Sequence, residues 1–496
     1  MCGILYLHDP SKKIPGLVMA KRAFMALAMQ QHRGYQGGGV GYVAGVQGDR
    51  KRVWLDKFFG PVSSQYDTHG AKKSPPEPFC DGLGKMVHRN PYKVIGHGRY
   101  ATAGPADDLI HYQPNFVEDI IDGRVIYAAN GDIPRLDFYR EALEEVADDV
   151  PSQNDGDFTL RQIAYYRRKE GLSWVAAMQR FMQEIPGAYS GILMTKKRTF
   201  FMRDPHGIRP FLVGRTEDGM IVAASESCVF PILKASLIFE VERGSIVEIT
   251  DDGTMTVHAY PGVLPKHSAH CVVCLAYFAR PDSHVFIDGK NPADVHQKGS
   301  YAYRFGVELA VEHPVKADFV ASIRNSGDLA TKGYSKRSGL PDKELLIRNF
   351  SIPRTFLASE QEEREFMVML KFGLMTDMFR DADMRRVCLI DDTIIRATTM
   401  RGIVSLLRAG GAEEVHIRTA FPPITNPCFM GIAMPTRAEL VASSRTIEEI
   451  KDFIQADSLG YLSIDGLSRA MVERNDSLQN YCTACFTGHY PIPVTA

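Results

Sequence analysis

The chain has 496 residues, a length that predicts two or more domains. Its composition, 45% hydrophobic and 24% charged, is typical of a globular protein and excludes a disordered or fibrous one. The 58 basic residues are balanced by 59 acidic ones, so no overall basic charge indicates a nucleic-acid partner. The first apolar run, residues 4–7, is too short for a signal peptide, and no apolar stretch approaches the roughly 18 residues of a membrane span. We therefore expect a cytoplasmic protein with no membrane partner.

The first half of the chain alternates short apolar runs with glycine-containing turns. Residues 37–46, 124–132 and 189–204 are typical of β-strands, some of them paired in hairpins. Helical periodicity interrupts these strands at 17–32 and over 157–185. Strands with interspersed helical segments predict a layered α+β or αββα packing for this half.

The second half changes character, because apolar strands there alternate with helical segments. The alternation runs through strand, helix, helix and strand at 318–323, 327–339, 363–379 and 385–392. This pattern is typical of βα units on a mostly parallel sheet. The change occurs near residues 259–270, so we predict one domain over 2–262 and a second over 263–496.

One strand of the second half ends in an acidic pair. Val387–Ile390 reads as a buried strand that runs into Asp391 and Asp392. A turn with Thr393, Thr398 and Thr399 follows and opens a helix. In open α/β sheets ligands bind at this edge, where helix N–H groups receive phosphate and carboxylates hold sugar hydroxyls or Mg²⁺. The alternative, an acidic turn followed by a threonine cap, is equally compatible with the local pattern.

Cysteine is the second chemical signal. The chain has nine cysteines, and an odd number in a long chain without a signal peptide favours reactive or metal-binding thiols over disulfides. Cys271/Cys274 and Cys482/Cys485 have CxxC spacing. Cys2 directly follows Met1, a position that by itself indicates either nothing or a nucleophile activated by its own α-amine.

An ordered series of motifs decides between these alternatives. The segment "VCLIDDTIIRATT" resembles the phosphoribosyl-pyrophosphate (PRPP) motif of type I phosphoribosyltransferases. Further motifs, in chain order, are "QHRGYQGGGV", "GHGRYATAG", "NGD", "PGAYSG", "RDPHGIRP", "SESC", "YFARPDS", "PPITNPCF", "ADSLGYLS" and "YCTACFTG". Together they resemble the glutamine PRPP amidotransferase family over nearly the whole chain. The resemblance implies an αββα N-terminal-nucleophile hydrolase domain followed by a type I phosphoribosyltransferase α/β domain.

The resemblance gives the first domain a glutaminase role. Cys2 matches the nucleophile, and the side-chain amide of Asn130 with the N–H of Gly131 matches the oxyanion site. Arg99 matches the partner of the glutamine carboxylate, and Asp155 the partner of its ammonium group. From local pattern alone, Asn-Gly is more often a type I′ turn, Arg99 a surface charge and Asp155 a helix N-cap.

The resemblance also implies a PRPP site in the second domain. The matching residues are Ser326, Asp391, Asp392, Thr393, Thr398, Thr399 and Arg354. Ser326, Asp391 and Asp392 are the candidates to hold Mg²⁺ with the diphosphate. The implied reaction takes glutamine and PRPP to 5-phosphoribosylamine, the first committed step of purine synthesis. The family resemblance further implies purine nucleotide inhibitors and a homotetramer.

Four thiols match the [4Fe–4S] ligands of the cluster-bearing branch of this family. They are Cys271, Cys428, Cys482 and Cys485. Cys274 is an additional, unmatched thiol, while Cys80, Cys228 and Cys388 fit buried packing positions. The cluster, if assembled, would fasten the last segment of the chain to the transferase domain.

The transferase half departs from the family pattern at several positions. Ala397 replaces a phosphate-loop glycine, and Arg324-Asn325 replaces Pro-Asp before Ser326. In the loop that closes over PRPP, Phe350 and Pro353 stand in place of an arginine and a glycine. Two hypotheses therefore stay open: a divergent amidotransferase, which the retained acidic pair favours, and a glutaminase whose second domain only senses nucleotide or PRPP.

Overall fold

The computed structural model describes most of the chain. The described ranges are 1–46, 50–65, 81–100, 104–105, 107–146, 151–324, 326–349, 370–379, 384–434 and 436–494. Arg354, Phe350 and Pro353 of the closing loop lie outside these ranges, as does Cys80.

A sheet of seven strands forms one layer of the first half. Its strands are β1 (Gly3–His8), β2 (Gly37–Val46), β3 (Arg50–Phe59), β4 (Pro91–Arg99), β9 (Leu212–Thr216), β10 (Ile221–Ala224) and β11 (Ala235–Glu240). They lie in the order β11-β9-β10-β1-β4-β2-β3, and β1 pairs antiparallel with both β10 and β4. The strand that follows Cys2 is therefore central, with neighbours on both sides.

A six-stranded sheet forms the second layer. Its strands are β5 (Asn115–Asp119), β6 (Gly123–Asp132), β7 (Ala188–Met194), β8 (Thr199–Arg203), β12 (Ile246–Ile249) and β13 (Met255–His258), in the order β13-β12-β8-β7-β6-β5. Ile4 and Tyr6 of β1 pack against this sheet, whereas Leu5 and Leu7 face the helical side. Because strand side chains alternate between faces, the apolar run Ile4–Leu7 of β1 is buried on both faces.

Helices cover the outer faces of the two sheets. The helices of the first half are Gly16–Met29, Asp81–Arg89, Leu136–Glu144, Asp155–Glu170, Trp174–Glu184 and Val229–Ile232. Gly171, at a φ of 67°, ends Asp155–Glu170, so the predicted helical stretch 157–185 is two helices. The layers helix, sheet, sheet, helix are the αββα sandwich that the sequence predicts.

The second half is built on a parallel sheet, as predicted. Its strands β15 (Phe319–Ser322), β18 (Arg386–Asp391), β19 (Glu414–Thr419) and β20 (Ser458–Tyr461) lie in this order and pair parallel throughout. The helices of this half are Lys298–Glu312, Asp328–Ser338, Thr398–Ala409, Ile447–Ile454, Ile464–Val472 and Ala484–Thr487. The predicted apolar face of Thr398–Ala409, with Met400 and Leu407, is buried.

One predicted helix is wrong within the described residues. The stretch 363–379 was expected to be helical, but Phe372–Leu374 is strand β17, which pairs antiparallel with β16 (Leu346–Arg348). Apolar residues three and four apart fit a helix and a short strand equally, and the partner strand decides the outcome here. This ribbon holds the two described ends of the closing loop side by side.

The two halves share a core. A short parallel ribbon of strands β14 (His270–Cys271) and β21 (Tyr481–Cys482) lies within this core. The core around this ribbon contains Met1 and Ile208 from the first half together with Phe305 and Ile492 from the second. The division at 262/263 stays a prediction. No helix in the described part of the chain is long and apolar enough to cross a membrane.

Candidate functional site

Cys2 lies beside Asn130 at the start of β1. Its backbone nitrogen donates a hydrogen bond of 3.2 Å to Asn130 Oδ1, and its thiol lies 3.7 Å from the carbonyl oxygen of Tyr100. Removal of Met1 would turn this backbone nitrogen into the free α-amine of Cys2. The amine would then be adjacent to the thiol that it has to deprotonate, which is the geometry an N-terminal nucleophile needs.

Asn130 and Gly131 lie within β6 and not in a hairpin turn. Asn130 is fully buried, and its amide nitrogen has no hydrogen-bond partner among the described residues. A β-carbon on Gly131 would lie 1.8 Å from the carbonyl oxygen of Ala188 on β7, so glycine is required for close strand packing here. A free amide donor beside a thiol suits an oxyanion site, and the type I′ turn suggested by the local pattern is absent.

Arg99 and Asp155 border the same region. Arg99 is only 3% exposed at the end of β4, where its guanidinium donates to the carbonyls of Gly104 and Pro105 at 3.0 Å each. It is therefore not a surface charge. Asp155 begins a helix but does not cap it, because the cap is Asn154, whose side chain accepts from the Asp157 N–H at 2.7 Å. Both positions are compatible with the predicted glutamine contacts, which stay predictions.

Asp132 adds a second carboxylate that sequence reasoning did not assign. Burial raises the pKa of Asp132 to about 6, while Arg209 opposes the rise. Burial, the nearby Asp132 charge and Cys2 raise the pKa of Asp155 well above its usual range. The signal was present in the sequence, because residues two apart on a strand share a face and Asp132 follows Asn130 by two.

The predicted acidic pair lies at the carboxyl end of β18. Asp391 accepts from Ser326 Oγ at 2.8 Å and from the Asp392 N–H at 2.9 Å. Burial and the neighbouring Asp391 raise the pKa of Asp392 well above its usual range, with Lys298 opposing the rise. A cation at this edge would relieve the repulsion, so the donor set fits Mg²⁺.

The phosphate loop carries a backbone feature that the sequence only hinted at. Ala397 has a φ of 63°, the left-handed region that favours glycine, and it lies directly before the helix that Thr398 and Thr399 begin. The Thr393 hydroxyl is buried without a partner among the described residues. Ala397 therefore has a backbone conformation that favours glycine and carries a methyl group there.

Arg324, which departs from the family pattern, and Gly327, which keeps it, flank this edge. Arg324 forms an ion pair with Glu344 and lies 3.9 Å from Asp328. Its charge is therefore held by neighbouring carboxylates at the sheet edge. Gly327 is needed next to Ser326, since a β-carbon there would lie 2.3 Å from the carbonyl oxygen of Ile390.

The four predicted cluster cysteines converge on one small apolar cavity. The thiols that line it are those of Cys271, Cys428, Cys482 and Cys485. Cys271 and Cys482 are direct partners in the β14–β21 ladder. Burial raises the pKa of Cys482 to about 12, and the buried Arg209 opposes the same effect at Cys271.

The arrangement of these thiols is looser than a metal site. In the part of the chain that the structure describes, no three His, Cys, Asp or Glu side chains are arranged to hold a metal ion. The all-thiol donor set and the cationic neighbour fit an iron–sulfur cluster in chemistry, and the cluster itself stays a proposal. Cys274 is a buried extra thiol that accepts from Arg33 Nη2 at 3.3 Å.

Glu226 is a buried hub that sequence reasoning quoted in "SESC" without assigning a role. It forms an ion pair with Arg33 and a 2.7 Å contact with His32. It also accepts from the Arg280 N–H at 2.9 Å and from Ser283 Oγ at 2.8 Å. Glu226 thus connects His32 and Arg33 of the first half to residues 280–283, which follow the predicted domain division.

Comparisons with known proteins agree with this geometry. Residues 109–231 match a family described as a glutamine amidotransferase domain. Amidophosphoribosyltransferase of Rattus norvegicus is 33% identical, with 94% of this chain and 93% of the relative covered. That of Methanocaldococcus jannaschii is 34% identical, with 100% and 98% covered.

Solved structures give the same result. The B. subtilis glutamine PRPP amidotransferase complexed with ADP and GMP has a TM-score of 0.82 and 29% identity, covering 100% of this chain and 98% of that one. An allosteric regulatory enzyme of purine biosynthesis has a TM-score of 0.83 and 30% identity, covering 100% and 97%.

The fold and both sites define a glutamine amidotransferase joined to a phosphoribosyltransferase-type domain. The matches extend over the whole chain and include the second half in full. The chain belongs to the amidophosphoribosyltransferase family. The comparisons therefore favour transferase activity over the hypothesis of a glutaminase with a sensor domain.

Proposed function

We propose that this chain transfers the amide nitrogen of glutamine to PRPP. Glutamine is hydrolysed at Cys2, and the released ammonia displaces pyrophosphate from C1 of PRPP to give 5-phosphoribosylamine. The observation that carries the proposal is that one chain contains two candidate sites. Cys2 lies beside Asn130 in one, and an acidic pair lies at the end of β18 in the other.

The glutaminase step follows from the groups around Cys2. The α-amine takes the thiol proton, and the thiolate attacks the amide carbon of glutamine. The Asn130 amide and the Gly131 N–H stabilise the oxyanion. The C–N bond then breaks, and the leaving amino group takes the proton back from the α-amine and departs as ammonia. Water then cleaves the glutamyl thioester to give glutamate. Arg99 and Asp155 hold the α-carboxylate and α-ammonium of the substrate.

The transferase step uses the edge of the parallel sheet. Asp391, Asp392 and Ser326 would hold Mg²⁺ and the diphosphate, and bound Mg²⁺ supplies neutralisation of the leaving group's charge. Thr393, Thr398 and Thr399 hold the 5′-phosphate at the helix start, where backbone N–H groups point toward it. Arg354 in the closing loop is a proposed PRPP contact. The retained acidic pair supports catalysis despite Ala397.

Further properties are proposed from the family. The cysteine cavity would hold a [4Fe–4S] cluster with a structural role, fastening residues 481–494 to the rest of the chain. Purine nucleotides would bind and inhibit, since the B. subtilis relative is described as complexed with ADP and GMP. We propose a homotetramer that acts in the cytoplasm.

A single assay tests the proposed function. Anaerobically purified protein, with Cys2 verified as its first residue, is given glutamine with and without Mg-PRPP, and glutamate and pyrophosphate are measured. We expect pyrophosphate in proportion to glutamate, dependent on PRPP, and lowered at least about a hundredfold by Asp392→Asn. Asp465→Asn, an exposed acidic residue of the same half, is the matched control. Glutamate without pyrophosphate would contradict the transferase proposal.

A further inference from the structure

A segment of the transferase half reaches the glutaminase site. Gly431 is buried, with a φ of 93°. A β-carbon added to it would lie 2.5 Å from the carbonyl oxygen of Gly131 and 2.7 Å from the carbonyl carbon. Real β-carbons do not approach backbone this closely, so only glycine permits this contact.

This contact completes an enclosure around Gly131. On one side, Gly131 has no room for a β-carbon against Ala188 of β7. On the other side, the backbone of Gly431 lies against the Gly131 carbonyl. Gly131 is the proposed donor of an oxyanion N–H, and such donors work because they are fixed before the reaction begins. The contacted carbonyl belongs to the 131–132 peptide and the donor N–H to the 130–131 peptide, and the two peptides meet at the Gly131 α-carbon. A shift of the carbonyl would therefore rotate the backbone of Gly131 and turn its N–H.

The segment that carries Gly431 is itself anchored. Met430 donates its N–H to Cys428 Sγ at 3.3 Å, so the segment is tied to the cysteine cavity three residues before the contact. Met430 and Ile432 on either side of Gly431 are 1% and 8% exposed. Both pack in the core that contains Met1. The segment therefore has little freedom to withdraw from Gly131.

We propose that Gly431 is a positioning residue for the glutaminase: the segment 428–432 holds the Gly131 peptide in the orientation that its oxyanion N–H requires. This inference rests on the proposed function. It makes the oxyanion site a composite of both halves of the chain. The glutaminase half alone would hold glutamine but would orient Gly131 less well.

The test compares Gly431→Ala with Gly339→Ala. Gly339 has a φ of 79° and open space around its missing β-carbon, so its variant carries the backbone strain without the contact. For each protein we would measure kcat and KM for glutamate release with Mg-PRPP present. We would also measure pyrophosphate release driven by ammonium chloride, which bypasses the glutaminase.

The expected result is a specific loss in kcat. Gly431→Ala should lower kcat for glutamine at least about tenfold, with KM within about twofold and ammonia-driven activity unchanged. Gly339→Ala should match the unsubstituted protein. Should Gly431→Ala fail to fold, Met430→Ala replaces it, because it removes buried packing that anchors the segment without adding a β-carbon at position 431. The same loss of kcat for glutamine is expected, and an unchanged kcat would overturn the inference.

Three outcomes would overturn the inference. The first is an unchanged kcat in a folded Gly431 variant. The second is a rise in KM at constant kcat, which would place the contact in substrate binding. The third is a parallel loss of ammonia-driven activity, or an equal loss in Gly339→Ala, which would indicate a general structural effect. Absence of glutamate release from the unsubstituted protein would instead refute the proposed function, and this inference with it.

Discussion

Each of the two candidate sites contains a pair of carboxylates with raised pKa values, but the pairs are built differently. In the glutaminase site, Asp132 comes from strand β6 and Asp155 from the start of a helix. In the transferase site, Asp391 and Asp392 are consecutive at the end of one strand. In both pairs, burial is the largest cause of the raised pKa values.

The difference indicates what each pair awaits. Asp132 and Asp155 can close around a compact cation from two directions, which suits the α-ammonium of glutamine. Asp391 and Asp392 lie largely buried at the carboxyl edge of the sheet, beside the Ser326 hydroxyl, an arrangement that suits Mg²⁺ carried in with a diphosphate.

The largest effect should come from removing the glutaminase nucleophile while the transferase site stays intact. Cys2→Ala should lower glutamine-driven pyrophosphate release at least about a thousandfold, because no other group can form the thioester. Ammonia-driven release should persist, since the transferase site is untouched. Cys228→Ala, at a buried cysteine of the same half, is the control. Persistent glutamine-driven activity in Cys2→Ala would mean that the nucleophile lies elsewhere.

A second substitution, Asp132→Asn, removes one carboxylate of the glutaminase pair. In the unsubstituted protein, protonation of Asp132 near pH 6 and of Asp155 should lower kcat/KM for glutamine as pH falls, because a neutral carboxyl no longer binds ammonium. Asp132→Asn removes the neighbouring charge that raises the Asp155 pKa, so the acid limb should shift to lower pH.

The measurement for this change is a pH profile of kcat/KM for glutamine between pH 5 and about pH 9. Arg209, which opposes the raised Asp132 pKa, is unchanged in the variant. Asp137→Asn, which is highly exposed on the next helix, should leave the profile in place. A limb that stays fixed in Asp132→Asn would show that the two carboxylates do not interact in the working enzyme.

The smallest effect concerns the transferase loop. Ala397→Gly should relieve left-handed strain of about 1 kcal/mol in the phosphate loop and remove a buried methyl group. We expect KM for PRPP to fall about twofold to threefold, measured with ammonia as the nitrogen source. Ala409→Gly, exposed at the end of the same helix, is the control and should leave KM unchanged. A higher KM in Ala397→Gly would mean that the methyl supports the loop.

Much of the fold could be predicted because apolar periodicity records burial. The predicted strands at 37–46 and 124–132, which are β2 and β6, and the apolar face of Thr398–Ala409 all follow from packing of side chains against neighbours. The stretch 363–379 was mispredicted where its pattern fitted two structures and a distant strand, β16, decided between them. Local pattern fails where the partner is far away in sequence.

The sites were less accessible to such reasoning. Asn130-Gly131 looks like a hairpin turn until β7 is known to lie against it. Asp132 and Glu226 were in quoted motifs, yet their roles depend on partners that only folding brings together. Gly431 gives no signal at all in the sequence beyond being glycine, because its contact with Gly131 joins residues three hundred positions apart. Residue types indicate which chemistry a site can perform, but they do not indicate which residues hold one another in place.

The short ribbon of β14 and β21 has a consequence for biosynthesis. Residues 271 and 482 pair directly, so the core that also encloses Met1 is finished only when the last part of the chain has been translated. At about 5 to 20 residues per second, the ribosome delivers Cys482 roughly ten to forty seconds after Cys271. During this interval the nascent glutaminase half exists with its neighbouring core open. A growing polypeptide would therefore release ammonia inefficiently until the phosphoribosyltransferase-type domain that consumes the ammonia has been synthesised.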